Sequence, residues 1–294
     1  MTETRPETRF LEIQPQRLLA YCEYGDPQGR PVFFFHGTPG SRLEPAFGDQ
    51  AGIKHGFRII ALDRPGVGAS AFYPGRKLLD WPQDVQAAAG QLKIDRFGVM
   101  GFSGGGAYAL ACAHSMPEVL DFVVLMGSWG PVAEEPALWK KMAPLDRFFG
   151  RLSRTAPLAF YLPFSLLSLA AKRLSLHRFI KALASSLSQP DRDLLNDQAV
   201  AQFFTSDIRE AFAQGTRGPA DDAIILYQSW EFAVQEISPP VTLYHGIEDK
   251  FAPFPFALYL DDQLPDSQLH AFPGQGHLFL IKLFDRIFQD LAGA

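Results

Sequence analysis

The stretch FGVMGFSGGGAYALACA, residues 97–113, sets a lone serine, Ser103, between glycines at the point where an apolar run changes its period. FGVM reads as a buried strand and AYALACA as a helix, so GFSGG occupies the turn between them. Gly101-Phe102-Ser103-Gly104-Gly105 fits Gly-x-Ser-x-Gly. That pattern carries chemical meaning only on a strand-to-helix turn, where small neighbours let the chain reverse and leave the serine exposed. A serine hydroxyl is a poor nucleophile at neutral pH. It needs a base for its proton, a third group to orient that base, and donors for the oxyanion.

Each partner has a candidate elsewhere in the chain. In VFFFHGTPGSR (32–42) a buried strand ends in His36-Gly37-Thr38-Pro39-Gly40. The loop after such a strand supplies one oxyanion donor, which makes the N–H of Thr38 the candidate beside the N–H of Gly104. YHGIEDK (244–250) puts Asp249 just past a strand end, where a carboxylate can fix a histidine tautomer. FPGQGHLFL (272–280) puts His277 after the next strand. Ser, Asp and His thus follow one another in the chain order expected of this chemistry.

Apolar runs of strand length recur at 17–24, 31–37, 57–63, 97–103, 121–128, 241–246 and 268–274. Those from residue 31 onward read as buried on both faces, as in a mostly parallel sheet. Helical patterns separate them at about 41–54, 81–94, 105–116 and 254–264, and another covers 277–294. The alternation predicts an α/β fold, a doubly wound and mostly parallel sheet with ligands at the carboxyl ends of its strands. It breaks from residue 131 to 218, where the text is helical, rich in Leu and Phe, and interrupted by prolines. We read 131–218 as a helical cap and 1–130 with 219–294 as the core. The most apolar part of the cap, residues 156–171, is shorter than the roughly 20 residues that span a bilayer.

At this point the chain resembles a Ser-His-Asp hydrolase of the α/β-hydrolase-fold superfamily with a helical cap. The resemblance rests on HGTPGS, DRPGVGAS (63–70), GFSGGG, GIEDK and GQGH, motifs spread over nearly the whole core. It implies Ser103, Asp249 and His277 as catalytic residues, Thr38 and Gly104 as oxyanion donors, and no cofactor. The relatives that use an Asp nucleophile, haloalkane dehalogenases and epoxide hydrolases, are disfavoured by a serine at 103. Sibling aminopeptidases usually carry HGGPG, from which Thr38 departs, so the expectation is cleavage of a small ester-like substrate. Amidase, aminopeptidase and cofactor-free perhydrolase activities are the alternatives within the superfamily, and a small-molecule receptor with little turnover is the alternative outside enzymes.

Other readings are weaker. Gly104, Gly106 and Ala109 loosely match a dinucleotide fingerprint, but no acid follows at the required distance. A net charge of -5 argues against a nucleic-acid partner. No metal-ligand spacing occurs among the seven histidines, and His36 and His245 read as structural hydrogen-bonders. Cys22 and Cys112 read as buried small hydrophobes. The opening residues lack a signal-peptide core, so a cytoplasmic location is expected. Asp63 is read as a turn residue bonded to backbone, and Asp221 and Asp222 as acids in the first turn of a helix. Phe102 and Trp129 are candidate pocket walls. Phe148, Phe149, Phe160, Tyr161 and Phe164 would line the pocket or pack the cap helices.

Charge is unevenly spread. Residues 131–190 hold nine Lys and Arg (140, 141, 147, 151, 154, 172, 173, 178 and 181) against three acids, or +6, which leaves -11 elsewhere. The expected reading is a solvated helical face, with anionic substrates or an acidic membrane surface as the alternatives.

Overall fold

Eight strands form one sheet in the computed structural model, which describes residues 6–293. They are β1 (Arg9–Gln14), β2 (Arg17–Gly25), β3 (Arg30–Phe35), β4 (Phe57–Leu62), β5 (Phe97–Phe102), β6 (Leu120–Met126), β7 (Val241–Gly246) and β8 (Ser267–Phe272). Their spatial order is β1-β2-β4-β3-β5-β6-β7-β8. The β1/β2 and β2/β4 pairs are antiparallel, and every pair from β4 to β8 is parallel. The doubly wound, mostly parallel sheet is therefore the observed fold class. β1 escapes the sequence reading because only Leu11 and Ile13 of RFLEIQ turn inward.

The helices follow in chain order: α1 (Asp49–His55), α2 (Trp81–Gln91) and α3 (Gly105–Ser115) among the first strands. Between β6 and β7 come α4 (Pro136–Lys141), α5 (Pro144–Thr155), α6 (Pro157–Arg173), α7 (Leu176–Leu183), α8 (Gln189–Leu194), α9 (Gln198–Ala211) and α10 (Arg217–Leu226). α11 (Pro255–Gln263) and α12 (Phe284–Ala292) complete the set. The helical reading of 277–294 is shortened, since Leu278–Lys282 forms a 3-10 turn before α12. Among the described residues no helix is long and apolar enough to cross a membrane.

Alternation along β3 shows how the sheet is covered. Phe33 and Phe35 join the core built with α2 and α3, while Val32 and Phe34 face the core built with α1 and α12. Apolar residues at every position are therefore needed, which explains VFFF. β8 departs from that expectation. It is an edge strand bonded only to β7, and none of its residues is fully buried, so it is not buried on both faces. Cys22 and Cys112 are both buried and unpaired.

Candidate active site

β5 runs fully buried to Phe102, and the chain then turns through Ser103 into α3. Ser103 has φ +52, a left-handed conformation that costs an L-residue energy and persists only where its surroundings enforce it. Its N–H donates to Met126 O (2.8 Å), and its carbonyl accepts the N–H groups of Gly106 and Trp129 (both 3.1 Å). Two glycines make the turn possible. A methyl group on Gly101 would lie 2.4 Å from Gly105 O, and one on Gly105 would lie 2.0 Å from Phe35 O. The serine side is half-buried while its neighbours are buried.

Asp249 and His277 meet beside this turn. Nδ1 of His277 lies 2.6 Å from Asp249 Oδ2, and both residues are buried. The other carboxylate oxygen, Oδ1, accepts the N–H groups of Phe251 (2.8 Å) and Ala252 (2.9 Å). Asp249 is therefore held by its own loop, which leaves Oδ2 to orient the ring. Burial lowers the affinity of His277 for a proton, but the charge and hydrogen bond of Asp249, with the charge of Asp191, raise its pKa above the usual histidine value. The imidazole packs 4.7 Å from the Phe102 ring, and a methyl group on Gly127 would sit 3.3 Å from both His277 Nδ1 and Asp249 Oδ2. The pair and Ser103 thus flank the same 126–129 turn. Among the described residues no hydrogen bond joins the Ser103 hydroxyl to His277, a contact that in unliganded sites often tightens only with substrate.

The loop after β3 is fastened from below. Arg64 donates to His36 O (2.6 Å), Gly37 O (2.8 Å) and Thr38 Oγ1 (3.1 Å). Thr38 Oγ1 in turn donates to Asp222 Oδ2 (2.8 Å). Thr38 approaches Gly104 closely, since a methyl group on Gly104 would lie 2.7 Å from Thr38 Oγ1. Neither the Thr38 nor the Gly104 backbone N–H has a hydrogen-bond acceptor among the described residues. His36 behaves as a structural residue: Nδ1–H donates to Gly37 O (2.8 Å) and Nε2 accepts the Arg64 N–H (3.2 Å). His245 likewise donates to Ala252 O at 2.8 Å. Asp63 accepts the N–H groups of Arg42 (2.6 Å) and Ala69 (3.0 Å), as a turn residue should.

Asp222 corrects the expectation of a helix-opening acid. α10 begins at Arg217, so Asp222 stands beyond its first turn and is fully buried. It accepts from Arg64, from Arg76 (2.8 Å), from the Tyr108 hydroxyl (2.7 Å) and from Thr38. Burial alone would raise its pKa, but Arg64 and Arg76 hold it well below the carboxylate range. Nothing in ADDAII announces this role, because the two arginines arrive from a distant loop.

Asp191, in α8, was equally hidden. Its Oδ1 accepts the Leu278 N–H (2.7 Å), and its Oδ2 accepts the Ser188 hydroxyl (2.6 Å). The only local signal, SQPD, marks a helix start.

A small cavity of about 50 Å³ lies between α9, the loop after β3 and the start of α12. Phe34, Phe47, Phe102, Phe203, Phe204 and Leu278 are among its walls, with Glu44 and Asp207 as its polar lining. Phe102, read from sequence as a candidate pocket wall, lines this cavity. Trp129 instead packs edge-on against Tyr227 and Phe256. Of the aromatics between β6 and β7, Phe160 is buried against Phe149, Phe164 and Tyr227, whereas Phe148 is exposed. Burial pushes Asp207 up to about 8, against two hydrogen bonds from Ser41, and burial with the Asp207 charge pushes Glu44 well above the carboxylate range.

The sheet order and the serine-bearing turn at the end of its central strand define a class, the α/β hydrolases. A family model described as alpha/beta hydrolase fold matches residues 30–282, and the chain belongs to that family. It is 28% identical over 266 residues to a 2-hydroxymuconate semialdehyde hydrolase of Pseudomonas putida, covering 88% of this chain and 84% of that one. Among solved structures it is similar to an esterase from Exiguobacterium antarcticum (TM-score 0.72, 18% identity, 98% of each chain). A bromoperoxidase from Bacillus anthracis aligns with TM-score 0.74 and 20% identity over 98% of this chain and 100% of that one. At those identities the two structures speak to the fold, while the hydrolase names among homologues support a hydrolase.

Proposed function

We propose that this protein is a serine hydrolase that cleaves an ester, or a related acyl bond, of a small apolar substrate through an acyl-enzyme intermediate. The observation that carries the reading is the buried Asp249–His277 pair, 2.6 Å apart, against a turn that strains Ser103 into φ +52. His277, its Nδ1–H held by Asp249, takes the Ser103 proton at Nε2. Ser103 Oγ attacks the acyl carbon, and the oxyanion is received by the N–H groups of Thr38 and Gly104, which have no other acceptor among the described residues. His277 returns the proton to the leaving oxygen. Water then attacks the acyl-enzyme, with His277 again as base. Donors of this kind contribute about 3 to 4 kcal/mol each, so the Arg64–Asp222 support of the Thr38 loop matters to rate.

Residues 131–218 act as a cap over the core of 1–130 and 219–294. The apolar cavity beside Phe102 receives the acyl chain, and Trp129 closes the turn behind Ser103 through its N–H to the Ser103 carbonyl.

A fluorophosphonate probe tests the reading. The expected result is labelling at Ser103, lost in His277→Ala, with Ala at Ser103, Asp249 or His277 each removing most activity on short esters. A folded protein that takes no label, retains a small molecule tightly and turns over no ester would instead be a binding protein.

A further inference from the structure

α6 reads PLAFYLPFSLLSLAAKR and contains no acidic residue. Its inner face is occupied: Phe160, Ser168 and Ala171 are buried, and the helix packs on α5, α9 and α10. Its outer face carries Leu158, Leu162, Leu166 and Leu169, spaced to stay on one side of the helix and 85%, 63%, 58% and 55% exposed. The preceding helix adds Leu145 and Phe148, 56% and 57% exposed. Single exposed leucines are ordinary, but a row of four on one helix face marks a surface that meets something apolar.

Charge identifies what that is. From residue 139 to 181 the chain holds nine Lys and Arg and one acid, Asp146, which is +8. Exposed Arg151 stands one turn beyond Phe148, and exposed Arg173 one turn beyond Leu169. A second copy docked by this same face would set basic residues against basic residues and be repelled. An anionic lipid surface matches both features, taking leucines into its acyl boundary while long basic side chains reach the phosphates. At 17 residues α6 is about 26 Å long, which suits a helix lying in the interface rather than spanning it.

The geometry points to the outer face of α5 and α6 as a peripheral docking surface for anionic phospholipid. The leucines anchor it and the basic residues select for charge. This is independent of the chemistry at Ser103.

The test is flotation of the purified full chain with vesicles of two parts phosphatidylcholine to one part phosphatidylglycerol, beside vesicles of phosphatidylcholine alone. The chain should float with the mixed vesicles only, and at 1 M salt, where the Debye length falls to about 3 Å, the bound fraction should drop severalfold. Leu158→Glu with Leu162→Glu should weaken binding at least about tenfold while the melting temperature stays unchanged, since both side chains already face water. Binding to neither vesicle, equal binding to both, or wild-type binding by the double variant each overturns the proposal. So does a dimer in light scattering that the double variant dissolves while vesicles are ignored, which would assign the face to a second copy.

Discussion

Asp191 Oδ1 accepts the backbone N–H of Leu278 at 2.7 Å, so a buried carboxylate from the inserted helices holds the residue next to His277. The same charge helps to raise the pKa of His277. Removing the charge should lower that pKa, and because the neutral imidazole is the proposed base, the acid limb of kcat/KM should move to lower pH. Asp191→Asn keeps an acceptor for Leu278 and isolates this effect. Asp191→Ala also orphans the N–H and should cost about 1 to 3 kcal/mol of stability. A pH profile of Asp191→Asn that superimposes on wild type would show that Asp191 does not act on His277.

Asp207 is pushed up to about 8 from 3.8, chiefly by burial, with Asp63 and Glu210 adding to it. Its folded pKa thus exceeds its unfolded one, so its contribution to stability is present in acid and is lost as pH rises towards 8. Asp207→Asn removes this dependence and still accepts from Ser41. Urea titrations should show the variant gaining on wild type from about pH 4 to 8, by no more than about 1.4 kcal/mol per pH unit, and then levelling. Parallel stability curves would refute the assignment.

Asp222 is the counter-ion shared by two buried guanidinium groups, those of Arg64 and Arg76. Asp222→Ala leaves both without a counter-charge and should destabilise the fold by about 3 to 5 kcal/mol, read from denaturant unfolding. Asp222→Asn, which keeps an acceptor for Thr38, should lose less. Equal losses in the two variants would mean that charge is not the reason this residue is needed.

Ser103 bears backbone strain that glycine would not. Ser103→Gly and Ser103→Ala should both be inactive, but the glycine variant should be the more stable by about 1 kcal/mol, the cost of a left-handed Cβ less the extra chain entropy of glycine. Thermal unfolding of the pair measures it, and equal midpoints would remove strain from the account of this turn.

The amino-acid sequence determined the sheet and the chain order of the proposed catalytic residues. Buried runs such as VFFF and FGVM, the glycines around Ser103, and the strand ends before Asp249 and His277 are local signals, because side-chain period and turn conformation depend on residues a few positions apart. β1 and the edge character of β8 were lost where few side chains face the core. Tertiary structure alone decided the rest. Arg64 meets Asp222 across 158 residues, Asp191 meets Leu278 across 87, and the cavity walls come from β3, the turn before α1 and α9. Whether the leucines of α6 faced the core or solvent was also undecided in the sequence. A helical stripe states only that one face is apolar, and which neighbour covers it is fixed by packing among elements whose pairing no local pattern encodes.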